Sequence, residues 1–271
     1  MMKFLNLLEF ELGRFLKFLI PTFILSAVLQ FFSLFQTINY YEDYLQNALE
    51  TNSIMEKFSM HDVTGSGLFT LSILFIPLLF VCYSLFTWYR EWLGKNTFIY
   101  RLLMLPINRL SIFFAKALAF VIGGFLAFVG QFGLYAIISA LLKNAIESEH
   151  FTALSIHNVQ NPYEIFQQVL FPETGFEFFH TYGYAFAALL VLFTAILIER
   201  SFGFKGAIAG LIYFVSFFTA HLLINTLQSI DILPWTVRPS HIFLMKCAYL
   251  ILAMVFSSWI SQMLLKNKVR V

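Results

Sequence analysis

The sequence has little charge and few cysteines. Charged residues make up 12% of the 271 positions, whereas hydrophobic residues make up 59% and the mean hydropathy is +0.78. A soluble domain has too little interior to bury that much apolar surface, so these values indicate that lipid surrounds the chain. The two cysteines, Cys82 and Cys247, fall in different apolar segments, which argues against a disulfide bridge.

The chain also lacks the motifs of common enzyme classes. It has no G-x-x-x-x-G-K-[ST] loop to hold ATP phosphates, no H-E-x-x-H and no G-x-S-x-G. Its six histidines are scattered without the spacing of metal ligands. We therefore predict a non-catalytic chain that binds no cofactor and no metal of its own. No nucleic-acid partner is expected.

Six apolar segments approach or exceed the roughly 20 residues that a helix needs to cross a bilayer. Backbone groups in hydrocarbon need internal partners, so the segments predict an all-α integral membrane fold and a single transmembrane domain, 1–271. The predicted spans are 18–36, 67–88, 117–141, 182–198, 207–224 and 241–265. Long outer loops are expected at 37–66 and 142–181, and a cytoplasmic segment at 89–116.

The distribution of charge predicts the orientation. If both termini are cytoplasmic, 13 of the 17 Lys and Arg residues lie in cytoplasmic segments, and 11 of the 15 acidic residues lie outside. This is the asymmetry of multi-pass proteins of the plasma (cytoplasmic) membrane. Residues 1–17 place Phe4, Leu8 and Leu12 on one helical face and Arg14 on the other. They predict an amphipathic interfacial helix that contacts membrane lipid before the chain turns into the first span.

Few polar or small residues interrupt the spans. Gln30, Gln131 and His221 are candidates either for hydrogen bonds between helices or for contact with a transported substrate. Gly206 and Gly210 form a small-xxx-small pattern that suits close helix packing within the chain, or a dimer seam.

One segment combines several cations with a defined end of one helix and start of another: "WYREWLGKNTFIYRLLMLPINRLSIFFAKAL" (88–118). Pro106 disfavours helical backbone at Leu105, which ends one helix. Asn108 can cap a second helix that continues without a break into the third span. Arg101 and Arg109 flank this turn, and Lys116 marks the membrane boundary. The alternative is an ordinary positive-inside loop, which explains the charge but not the stop and restart.

These residues resemble the permease subunits of the second, export-type class of ABC transporters. That family carries an acid after the second span, then a glycine, then Leu-x-x-Leu-Pro-[IV]-x-Arg, Ile and Ala/Ser-Lys. The matching positions are Glu91, Gly94, Leu102, Leu105, Pro106, Ile107, Arg109, Ile112, Ala115 and Lys116.

The resemblance implies that 95–109 is a coupling helix seated on a separate ATPase subunit, which binds the ATP. It also implies that 1–17 is a connecting helix, and that the chain works as a homodimer or as a heterodimer with a second permease. The short last outer loop favours export of a peptide, drug, ion or lipid-like substrate. Two alternatives stay open: a non-transport assembly factor or intramembrane enzyme, and a small secondary carrier. The lack of ionisable residues in mid-span argues against an ion-driven carrier.

Overall fold

The structure is a computed structural model that describes residues 2–51, 57–92, 108–146, 150–152, 174–229 and 239–267. Seven helices and two short strands occupy these ranges. They are α1 (Met2–Thr51), β1 (Phe58–Ser59), α2 (Met60–Thr64), α3 (Gly67–Trp92), α4 (Arg109–Ala145), β2 (Phe151–Thr152), α5 (Gly175–Phe202), α6 (Phe204–Ser229) and α7 (Pro239–Asn267).

Six of these helices, all except α2, are long and apolar enough to cross a membrane. This confirms the prediction of a helical membrane protein with six membrane-length segments. All six helices are longer than the predicted spans, and all except α3 are longer at both ends; α5 and α6, for example, have 28 and 26 residues where spans of 182–198 and 207–224 were predicted. The extra turns carry polar residues, so a hydropathy window does not include them.

The first helix corrects the expected turn after residue 17 and the expected loop after residue 36. α1 is continuous from Met2 to Thr51, so residues 37–51 are helical. Its buried side chains recur at helical spacing along most of this length: Leu7, Glu11, Phe15, Leu19, Ser26, Gln30, Ser33, Leu34, Thr37, Tyr41 and Ala48. Because one packed face runs through both predicted boundaries, the helix has no reason to end at either of them.

The chain divides into two compact units. One contains residues 1–13, 81–121 and 174–271, and the other contains residues 14–80 and 122–173.

The second unit has an apolar core where α1 and α4 meet β1 and α2. Phe58 lies 5.2 Å from the ring of Tyr41 and 5.9 Å from that of Tyr44, centroid to centroid. The parallel pairing of β1 with β2 aligns Phe58 with Phe151. Ser59 caps α2 in a capping box with Asp62. The predicted outer loop 37–66 therefore contains the end of α1, a strand and a short helix.

In the first unit, α5 and α6 are joined by Gly203 alone. Its φ of 61° lies in the left-handed region, which favours glycine, and its N–H donates to the Glu199 carbonyl at 2.8 Å. A Cβ on Gly206 would lie 2.3 Å from the Ile198 carbonyl oxygen, and one on Gly210 would lie 2.6 Å from that of Ala195. The two glycines therefore pack α6 against the α5 backbone, which confirms the prediction of close packing within the chain.

Candidate functional site

Three charged side chains meet inside the first unit. Lys116 of α4 donates from Nζ to Oε1 of Glu11 at 2.7 Å and to Oε1 of Glu91 at 3.1 Å. Glu11 belongs to α1, and Glu91 lies one residue before the end of α3. The exposed fractions of the three side chains are 0% for Lys116, 2% for Glu11 and 0% for Glu91. We call these three residues the buried triad.

Aromatic rings surround the lysine of the triad. Its Nζ lies 5.5 Å from the ring of Trp88, which is within the range of a cation–π contact. Trp88 is itself fully buried and contacts Phe113 and Phe193, at centroid distances of 6.4 and 5.7 Å. This shell removes water from the ion pairs, so each charge depends on its protein partners.

A fully buried lysine is rare in proteins because taking its charge out of water costs several kcal/mol. The cost is offset only when the charge is paired and well hydrogen-bonded. A second cation lies beside the triad, since Arg90 Nη2 is 3.9 Å from Glu91 Oε1. The Arg90 guanidinium also lies over the rings of Tyr83 and Phe86, at 5.7 and 5.3 Å. Two carboxylates and two cations are thereby gathered at this end of α3.

Further contacts attach the end of α3 to α5. The Tyr89 hydroxyl donates a hydrogen bond to Glu199 Oε2. The neighbouring Arg200 lies over the ring of Tyr89 at 4.6 Å and over the ring of Trp92 at 5.5 Å. Trp92 is the last residue of α3, so these contacts extend to the point where the helix ends.

The start of α4 is also fixed by hydrogen bonds, both within its own first turn and to α7. The Asn108 side-chain Oδ1 accepts a hydrogen bond from the Leu110 N–H at 3.1 Å, and its carbonyl accepts one from the Ser111 N–H at 2.8 Å. This confirms the predicted cap and the unbroken helix into the third span. Arg109 then donates from Nη1 to the Leu265 carbonyl, two residues before the end of α7, at 2.6 Å.

The structure therefore describes both ends of the predicted coupling segment. The motif positions Glu91, Arg109 and Lys116 lie in described helices, and Glu91 and Lys116 are hydrogen-bonded to each other across 25 residues of sequence. The other predicted coupling residues fall outside the described residues: Gly94, Arg101, Leu102, Leu105, Pro106 and Ile107.

Glu11 is the functional candidate that the sequence interpretation missed. The amphipathic pattern of residues 1–17 predicts a helix on the membrane surface, whereas Glu11 is 2% exposed and paired with Lys116. A local signal was present. Glu11 lies four residues from both Leu7 and Phe15, on the side of α1 that is buried.

Gln30 and Gln131, in the second unit, form a hydrogen-bonded pair between α1 and α4. Each side-chain Nε2 donates to the other residue's Oε1 at 3.1 Å, and both residues are buried. Gln30 also donates to the Ser26 hydroxyl at 3.2 Å, and Ser26 donates to the Ser72 carbonyl at 2.9 Å. This confirms the predicted role of the two glutamines in joining helices.

His221, in the first unit, lies among aromatic rings. Its ring centroid is 4.1 Å from that of Tyr184 and 5.5 Å from that of His180. Its Nδ1 is buried and has no hydrogen-bond partner among the described residues. His221 therefore contacts neighbouring helices by ring packing, and its predicted role in hydrogen bonding between helices or in contact with a substrate stays a prediction.

Within the described ranges, no three His, Cys, Asp or Glu side chains lie close enough together to hold a metal ion. Comparisons with protein-family models, with curated proteins and with solved structures give no match.

Proposed function

We propose that this chain is the transmembrane permease subunit of an export-type ABC transporter, moved by a separate ATPase subunit that contacts residues 95–109. The observation that carries the proposal is the buried triad. It joins Glu91 and Lys116, the two outer charged positions of the permease-like motif, to each other and to α1. An ordinary cytoplasmic loop needs no such connection between the helices on either side of it.

The contacts around the triad suit a region that transmits force from the ATPase subunit to the membrane helices. The segment that follows α3 and precedes α4 begins next to Trp92 and ends next to Asn108. Trp92 is in contact with Arg200 of α5, and Arg109 is bonded to the α7 backbone. A displacement of the segment is therefore passed to α1, α3, α4, α5 and α7 through stiff polar and aromatic contacts, rather than being absorbed locally.

The remaining features of the proposal follow from the charge distribution and the resemblance. The protein lies in the plasma membrane, with both termini and the 95–109 segment on the cytoplasmic side. Two ATPase subunits bind two permease subunits, either identical or homologous. The exported substrate is a peptide, drug, ion or lipid-like molecule. The permease itself hydrolyses nothing.

The proposal predicts that the purified transporter loses coupling when the segment is altered. We expect Arg109→Ala or Pro106→Ala to lower permease-stimulated ATPase activity about tenfold, which is within the usual range of coupling energies. Lys205→Met, which removes an exposed cation at the start of α6, is the matched control and should leave the stimulation unchanged. Co-purification of a Walker-motif ATPase from the native membrane is the prerequisite, and its consistent absence would favour an assembly factor.

The orientation is tested separately by labelling in intact cells. Asn96→Cys in a Cys82→Ala, Cys247→Ala background should react with a membrane-impermeant maleimide only after the cells are opened. Labelling from outside intact cells would reject the cytoplasmic placement of the segment, and with it the proposed contact with an ATPase. Transport that follows an ion gradient and persists after ATP depletion would indicate a secondary carrier instead.

A further inference from the structure

The turn that joins α5 to α6 carries two exposed aromatic side chains. Phe202, the last residue of α5, is 51% exposed, and Phe204, the first residue of α6, is 83% exposed. The value for Phe204 is the highest of any large apolar side chain in the described ranges. Exposing phenylalanine rings to water is unfavourable, so apolar surroundings are expected at this turn.

The charged residues of α5 indicate how deep the turn lies in a bilayer. Glu177 and Glu199 flank residues 178–198, a run without Asp, Glu, Lys or Arg that measures about 32 Å as a helix. This length matches the hydrocarbon core of a bilayer, which is about 30 Å thick. Phe202 lies three residues beyond Glu199, about 4.5 Å further along the helix axis. Because each headgroup layer is about 5–7 Å thick, the turn lies within that layer rather than in bulk water.

The neighbouring end of α3 marks the same level independently. The Tyr89 hydroxyl donates a hydrogen bond to Glu199. The Arg200 guanidinium lies 4.6 Å from the ring of Tyr89 and 5.5 Å from that of Trp92. Tyr and Trp are enriched where the hydrocarbon meets the headgroups. Both helices therefore place this boundary within about one helical turn of Gly203.

The charges at the turn favour anionic lipid as its surroundings. Glu199 and Arg200 carry opposite charges, and both contact the end of α3. Lys205, the second residue of α6, is exposed and gives the turn a net positive charge. A lysine side chain can place its ammonium among headgroups while its stem lies against apolar groups. Near an anionic surface, one such lysine strengthens binding about fivefold.

We propose that the α5–α6 turn anchors these two helices in the headgroup layer of the membrane. The rings of Phe202 and Phe204 insert among the first carbons of the acyl chains, and Lys205 contacts anionic headgroups. The anchor fixes the depth of the connection at Gly203. The proposal is independent of the proposed transport function and of which side of the membrane is cytoplasmic, because it uses only α3, α5 and α6.

Fluorescence quenching in lipid vesicles tests the surroundings of the turn. A fluorophore is attached to the purified full-length protein at Ser201→Cys, in a Cys82→Ala, Cys247→Ala background. The quencher is either dissolved in the water or attached near the headgroup end of an acyl chain of phosphatidylglycerol or phosphatidylcholine. We expect strong quenching by lipid and weak quenching from water. Phosphatidylglycerol should associate with the turn about fivefold more strongly than phosphatidylcholine.

Matched substitutions test the lysine and the two rings. Lys205→Met should reduce the lipid preference to about one, whereas Lys266→Met, which removes an exposed cation from the last turn of α7, should preserve it. Phe202→Ser with Phe204→Ser should shift the quenching from lipid to water. Phe179→Ser is the control for this double variant and should behave as wild type, because Phe179 is 75% exposed but lies at the other end of α5.

The proposal is overturned if the two lipids quench the wild type equally, or if Lys266→Met lowers the preference as much as Lys205→Met does. It is also overturned if the double serine variant is quenched as the wild type is. A label shielded from both lipid and water would reject it too, because that result indicates a protein on the turn. Size-exclusion profile and helical circular dichroism verify that each variant is folded. Should the double serine variant fail this check, Phe204→Ser alone decides.

Discussion

Replacing Lys116 with methionine should destabilise the first unit strongly, because it leaves two buried carboxylates without their shared cation. Both Oε1 atoms lie within 3.1 Å of the same nitrogen, so they are within about 6 Å of each other. At an effective dielectric constant of about 20, their repulsion is about 3 kcal/mol. Removing one partner of a buried ion pair typically costs roughly 3–5 kcal/mol, and we expect a loss in that range.

The assay is thermal unfolding of the purified protein in detergent. For a chain of this size, the expected loss corresponds to a fall in melting temperature of roughly 10 °C. Lys143→Met is the matched control, because Lys143 lies on the same helix but is exposed. It should change the free energy of unfolding by less than about 0.5 kcal/mol.

A neutral triad separates charge from packing. Glu11→Gln and Glu91→Gln, added to Lys116→Met, remove all three charges while nearly conserving volume, so most of the stability should return. The electrostatic reasoning is refuted if Lys116→Met costs no more than Lys143→Met. It is equally refuted if the triple variant is as unstable as the single one.

Two further predictions concern helix packing. Gly206→Ala should destabilise the protein by at least about 1 kcal/mol, since its Cβ would lie 2.3 Å from the Ile198 carbonyl oxygen. Gly133→Ala in α4 meets nothing within 4 Å and should instead stabilise by about 0.5 kcal/mol, and equal melting shifts for the two variants would contradict this. Gln131→Leu removes two of the three hydrogen bonds of the buried Gln30 amide, leaving the one to Ser26, and should cost about 1–2 kcal/mol. The double leucine variant should cost less than the single one, and a denaturant titration that shows additive losses would argue against the pair.

The features that the sequence predicted correctly have local causes. The second span was expected to begin at residue 67, and α3 begins at Gly67. The helix restart at Asn108 was also correct, because a capping side chain after a proline is a signal carried by adjacent residues. The packing of Gly206 and Gly210 was predicted from their spacing of four, although the α5 backbone as their partner was not.

The features that were missed depend on distant partners. Glu11 and Lys116 are 105 residues apart, so the spacing of Glu11 from Leu7 and Phe15 can indicate that it is buried but not which residue it pairs with. The continuity of α1 was missed for a similar reason. Hydropathy falls after residue 36, and a span of 18–36 is already long enough to cross a bilayer, so the sequence predicts an end there. The helix continues because Thr37, Tyr41 and Ala48 remain buried in the protein.

The single-residue connection at Gly203 limits how α5 and α6 can move. Because a connection of one residue is too short to span a shift of one helical turn, neither helix can slide that far along the other. The close approach at Gly206 and Gly210 resists rotation of one helix about the other. The motion that remains is a hinge opening at Gly203, which would separate the two helices most at the ends farthest from this residue. His180 and His221 lie near those ends, so any such opening would separate the stacked rings before it disturbed the rest of the pair.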